Sequence, residues 1–169
     1  EGVRPTSLSH VISSFNPTWQ EPARDFYAAF LTAVEIAGQI IRREVHIALG
    51  RIAARDYVRR AISLSAGGPI VTLWQFVPWG EQVRDEAPDA KFVVFPSETG
   101  TWMVQAVGAK AGTFESRKLL PEAWAGLRDG DFQEVTGVSD GVFCHPGRFI
   151  CGAASEASAM RLARMAVEA

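Results

Sequence analysis

Cysteine and histidine are scarce in this chain, and long apolar runs are missing from it. Two cysteines, Cys144 and Cys151, among 169 residues cannot build a secreted disulfide framework, which takes several pairs. That scarcity fits a reducing, cytoplasmic compartment and free thiols. The two stand seven apart, and His10, His46 and His145 are scattered, so a zinc site lacks ligands at the usual spacing. No apolar stretch approaches the roughly 18 residues that suggest a membrane span. Charge of one sign is not in excess either. The chain has 17 basic and 19 acidic side chains, a net −2, so no global basic field draws in nucleic acid and any anion must be held locally. Gly-x-Ser-x-Gly, a P-loop, Gly-x-Gly-x-x-Gly and His-Glu-x-x-His are all missing, which leaves the common nucleophilic, nucleotide and zinc-protease sites without a motif. No catalytic residue and no metal ligand is therefore assigned, and the residues suggest a domain that binds or assembles. The chain opens at Glu1 with neither Met nor a charged-then-apolar leader, so no signal peptide is visible and a fragment is expected.

What is present matches an ordinary globular domain: 47% hydrophobic and 21% charged residues, in a length that hides roughly 70% of its unfolded surface. From Phe26, apolar residues recur three and four apart at Phe30, Val34, Ala37, Ile41, Val45, Ala48 and Ile52, the signature of a helix with one apolar stripe. Pro22 suits its first turn. Gly38 and Gly50 each weaken a helix by about 1 kcal/mol, so a bend or break is expected near Gly50, with a second piece through Ser63. The period then changes. Strands are expected at 70–77, 91–95 and 102–107, the last two as a hairpin around Gly100. Short helices are expected at 119–127 and 131–135, joined by Asp129-Gly130. A second hairpin joins 141–144 to 149–151, with Pro146-Gly147 at the centre of a type II turn that pairs Cys144 with Phe149. Ser155 caps a last helix at 156–167 whose inner side is Ala159, Leu162, Ala163 and Ala166. The fold class is α+β: a long N-terminal helix, a mixed or antiparallel sheet of about five strands, short helices and a C-terminal helix.

Four local features offer chemistry. Asn16-Pro17-Thr18-Trp19 presents an amide and an indole to a ligand, or else forms a turn in which Trp19 packs as an anchor. Arg51, Arg55 and Arg59 form a helical stripe that meets phosphates or simply faces solvent. Ser116 and Arg117 place a hydroxyl beside a guanidinium fork suited to phosphate or carboxylate; alternatively they lie in a solvated surface loop. The second hairpin brings His145, Arg148 and Gly152 to the approach of a helix N-terminus, where outward N–H groups favour an anion. The alternative is a tight turn with a half-exposed His and Arg.

Several of these motifs occur in one order: Asn16-Pro17-Thr18-Trp19, Glu21-Pro22, Phe114-Glu115-Ser116-Arg117, the run from Leu120-Pro121-Glu122-Ala123-Trp124 to Asp129, Glu134-Val135-Thr136-Gly137-Val138, and Phe149-Ile150-x-Gly152. In this the chain resembles the C-terminal half of the melanocyte-proliferating-gene family, also called the metal-dependent protein hydrolase family. The resemblance implies a DHH-type phosphoesterase relationship: an N-terminal module whose His and Asp residues hold divalent metal, manganese, and a C-terminal region that helps bind substrate. It implies 3′–5′ RNA exonuclease activity in the whole protein. On that reading residues 1–20 are the tail of the upstream module and 21–169 the substrate-binding and assembly domain. The partners are RNA or a small phosphorylated compound, the chain's own N-terminal module and a second copy. Where relatives continue Phe-Ile-Gly-Gly-His, this chain has Phe149-Ile150-Cys151-Gly152-Ala153, and Arg148 stands where they have Gly. Either Arg148 replaces the missing charge or the site is altered, and His145 matches the family's His ahead of the turn. Two other readings stand beside this one: an oligomerisation module pairing through Phe30, Val34, Ile41 and Val45, and a stand-alone RNA-binding domain using the arginine stripe.

Overall fold

A computed structural model describes residues 7–169, which form two compact units that divide between Gly50 and Arg51. In the first, Ser7 accepts from the His10 N–H at 3.2 Å and caps α1 (Leu8–Ser13). The Asp25 carboxylate accepts from the Ala28 N–H at 2.9 Å and starts α2, Phe26–Leu64. Asp25, rather than Pro22, is therefore the start signal, because a carboxylate satisfies an N–H that proline merely tolerates losing. The helix runs without interruption through Gly50, so the expected break does not occur: glycine costs propensity but removes no backbone hydrogen bond.

The second unit contains the C-terminal part of α2, then β1 (Ile70–Thr72), α3 (Gly80–Glu86), β2 (Phe92–Pro96) and β3 (Trp102–Ala106). A 3-10 turn (Glu122–Trp124), α4 (Asp129–Thr136), β4 (Gly141–Cys144), β5 (Ile150–Ala153) and α5 (Glu156–Glu168) complete it. The five strands form one mixed sheet in the order β1-β2-β3-β5-β4, with β1 parallel to β2 and the other pairs antiparallel. The α+β expectation thus holds. Alternate residues of β2 bury on opposite faces, as the strand period requires. Phe92 and Val94 join Val104, Phe132, Leu162 and Ala163 in one core, while Val93 and Phe95 join Val58, Ala61, Val71, Leu73 and Val83 in the other. Ser155 caps α5 as anticipated, and Ala159, Leu162, Ala163 and Ala166 are its buried face.

Three local expectations are corrected. The strand expected at 70–77 stops at Thr72, because the Tyr57 hydroxyl accepts from the Trp74 and Gln75 N–H groups at 2.8 and 3.1 Å and draws the chain off the sheet. The helix expected at 119–127 shrinks to Glu122–Trp124, bounded by Pro121 and by Gly126 in the left-handed region at φ 76°. In the second hairpin Cys144 pairs with Cys151, not Phe149. A two-residue loop needs positive φ at its first position, which proline cannot adopt. The chain instead makes a type I-like turn, with the Arg148 N–H bonded to the His145 carbonyl at 2.8 Å and Arg148 itself left-handed at φ 55°.

Candidate functional site

The second hairpin brings His145, Arg148 and Phe149 together around one turn. His145 and Phe149 face each other across the turn with ring centroids 4.4 Å apart. The Gly147 N–H donates to His145 Nδ1 at 3.0 Å, so a neutral imidazole carries its proton on Nε2 and presents a donor away from the turn. Arg148, half-buried, follows it. The loop before α4 is tied to the same hairpin. The Cys144 N–H donates to the Leu127 carbonyl at 2.9 Å, Arg128 pairs with Phe143, and the Arg128 guanidinium lies 5.6 Å from that ring's centre. A cation over an aromatic face is held without losing its charge. Arg128 is thus a third candidate that sequence reading missed; the signal for it was only a basic residue at a helix start, where the dipole disfavours one.

Gly152 serves packing. It sits inside β5, paired with Met103 and Phe143, and a Cβ there would meet Phe143 Cε1 at 3.1 Å and Met103 Sδ at 3.2 Å. The N-terminus of α5 already has an anion of its own. Nearby Ser158, first, and Ser155 hold the Asp140 carboxyl below the usual range, although its Oδ1 is buried without a hydrogen-bond partner. The Ala154 N–H also donates to the Asp140 carbonyl at 2.9 Å.

The structure places the remaining candidates elsewhere. Arg117 donates to the carbonyls of Ala87 and Ala90 at 2.6 and 2.9 Å, and to that of Arg84. Its fork thus closes the C-terminal end of α3. Ser116 pairs in an isolated bridge with Gly108, and the segment reaches the hairpin farther along, where the Leu120 N–H is bonded to the Arg148 carbonyl at 2.8 Å. Arg59 is engaged bidentately by Glu86 at 3.1–3.3 Å. That hydrogen bond raises the Arg59 pKa and lowers that of Glu86, and it removes one of the three stripe arginines from an open face. In the first unit, Asn16 Nδ2 donates to the Ser13 carbonyl at 2.9 Å. Trp19 is 80% exposed and so does not pack as an anchor.

Cys144 and Cys151 are free and buried. Burial pushes the Cys144 thiol up to about 11 and that of Cys151 well above its ordinary range, so neither is a ready nucleophile. Among the described residues no group of three or more His, Cys, Asp or Glu side chains is placed to hold a metal ion. This part of the chain therefore offers no donor set for the manganese that the resemblance implies. No helix among those residues is long and apolar enough to cross a membrane.

A family model described as "Uncharacterised protein family (UPF0160)" matches residues 2–167. The chain is 31% identical to a MYG1 protein of Schizosaccharomyces pombe over 182 residues, covering 99% of the chain and 56% of that relative. It is 32% identical to a protein of Rattus norvegicus named MYG1 exonuclease and 31% identical to its Homo sapiens namesake, covering 94% of the chain in each case and 45% and 46% of those relatives. The chain spans about half the length of the curated relatives it matches.

Proposed function

The chain belongs to the MYG1 exonuclease family (UPF0160), and from that premise we propose that it is the C-terminal substrate-binding and assembly part of a DHH-type phosphodiesterase. Its substrate is RNA or a small phosphorylated compound. The metal-activated water belongs to another module of the whole protein, and residues 1–20 lead in from it. What supports this reading is the second hairpin, where the outward Nε2–H of His145, the Arg148 guanidinium and the neighbouring Arg128 occupy connected turns. His145 donates to a phosphate oxygen, with the Phe149 ring fixing its orientation. Arg148 and Arg128 supply the positive charge that an otherwise acidic chain must concentrate locally. Ser116 remains an outer contact in this reading. Arg117 holds α3 in place through the carbonyls it caps.

Titration of the 169-residue chain with a fluorescent single-stranded RNA tests it. Arg148→Ala and Arg128→Ala are each expected to weaken binding and to lower the slope of log affinity against log salt by roughly 0.7, the value for one phosphate contact on a single strand. No hydrolysis is expected when manganese is added to the chain alone. Robust manganese-dependent turnover, or RNA affinity that ignores both substitutions, overturns the proposal.

A further inference from the structure

Helix α2 keeps a row of large apolar side chains in water. Val34, Ile41 and Val45 are 51%, 61% and 51% exposed, and every residue from 41 to 50 is exposed. α1 does not account for them. It lines a cleft with Ala29, Phe30 and Ala33; at 100° per residue Phe30 stands at the edge of the exposed row and Ala33 roughly a third of a turn away from it. Along that row Leu31, Val34, Gly38, Ile41, Val45 and Ala48 follow one another at alternating intervals of three and four. This is the a/d pattern of a two-helix seam, with Leu31, Gly38 and Val45 at a and Val34, Ile41 and Ala48 at d.

We propose that this face binds the same face of a second copy, antiparallel, with the two-fold axis midway between Gly38 and Ile41. In that register Leu31 meets Ala48 of the other copy, Val34 meets Val45 and Gly38 meets Ile41, so the two smallest members of the row, Gly38 and Ala48, each face a large side chain. Charge selects the same arrangement. Glu35 and Arg42 both flank the seam at e positions, which face each other across an antiparallel pair. The register therefore puts Glu35 opposite Arg42 of the second copy, twice by symmetry. A parallel pair would stack Gly38 on Gly38, leaving a gap, and would give neither charge an opposite partner. In the single chain Arg42 folds over Gly38, 3.2 Å from where a Cβ would sit. Pairing swings it outward to Glu35 and gives the Gly38 position to Ile41 of the second copy.

Sedimentation velocity and light scattering on the 169-residue chain are expected to give twice the 18.4 kDa of one chain at high concentration, dissociating on dilution. Ile41→Asp, at an exposed position, is expected to give a monomer with unchanged helical circular dichroism. Glu35→Arg sets Arg against Arg at both flanks and is expected to weaken association at least tenfold. Adding Arg42→Glu to it restores the opposite charges and is expected to bring the affinity back to within a few-fold of the original. A chain that stays monomeric at millimolar concentration overturns the proposal. So does an Ile41→Asp variant that still dimerises, a double reversal no tighter than the single one, or a face that associates only when the remaining half of a family member is supplied.

Discussion

Arg148 holds the left-handed backbone that closes the second hairpin, at φ 55°, a conformation costing a residue with a Cβ about 1 kcal/mol or more. Arg148→Gly is therefore expected to stabilise the chain by about 1 kcal/mol in urea unfolding while weakening RNA binding, an opposition that separates a functional residue from a structural one. Asp140 carries the complementary lesson. Its carboxyl is held below its ordinary value of 3.8, first by Ser158. A depressed acid contributes stability above its unfolded pKa and loses it as pH falls through the folded one. Asp140→Asn should melt below the parent at pH 7, and the gap should close as pH is lowered past 4. A gap independent of pH would mean that shape, not charge, is what Asp140 supplies. The buried cysteines give a third outcome at this scale: with Cys144 raised to about 11, iodoacetamide should label neither thiol in the folded chain at pH 7, and both after denaturation, as read by mass spectrometry.

Among the elements, α5 was the most legible from sequence. A Ser cap followed by apolar residues at helical spacing is a local code, and the buried face is the expected one. Leu162→Ala is expected to cost about 2–5 kcal/mol, since Leu162 is fully buried between helix and sheet. α3 was not legible in the same way. Its C-terminal carbonyls are held by Arg117, about thirty residues along the chain, and no local signal announces so distant a cap. Arg117→Ala should leave those carbonyls unpaired and raise amide exchange in α3 selectively, at a global cost of about 2 kcal/mol. The shortening of β1 has the same origin, because Tyr57 on α2 takes the N–H groups of Trp74 and Gln75.

At the scale of the whole molecule, both apolar cores are built from residues of the second unit alone. Among the described residues of the first unit, Ala33 is the one buried hydrophobic. Residues 51–169 expressed alone are therefore expected to unfold in one cooperative transition with a melting temperature close to that of the full chain. A non-cooperative melt would show that residues before Gly50 contribute to the cores. Much of the first unit's apolar surface is exposed instead, and it is on this surface that the proposed pairing of two copies rests.

Periodicity and punctuation, acting over a few residues, determined the element types, the α+β class, the first hairpin and the apolar stripe of α2. The ordered motifs pointed to the family. Only the tertiary structure decided which polar groups were spent: Arg117 on carbonyls and Arg59 on Glu86. It also left His145 and Arg128 exposed and Arg148 half-buried on adjoining turns. A guanidinium reads the same in a sequence whether it meets a ligand or a carbonyl thirty residues away, because what engages it is set by through-space distance, which local patterning does not encode.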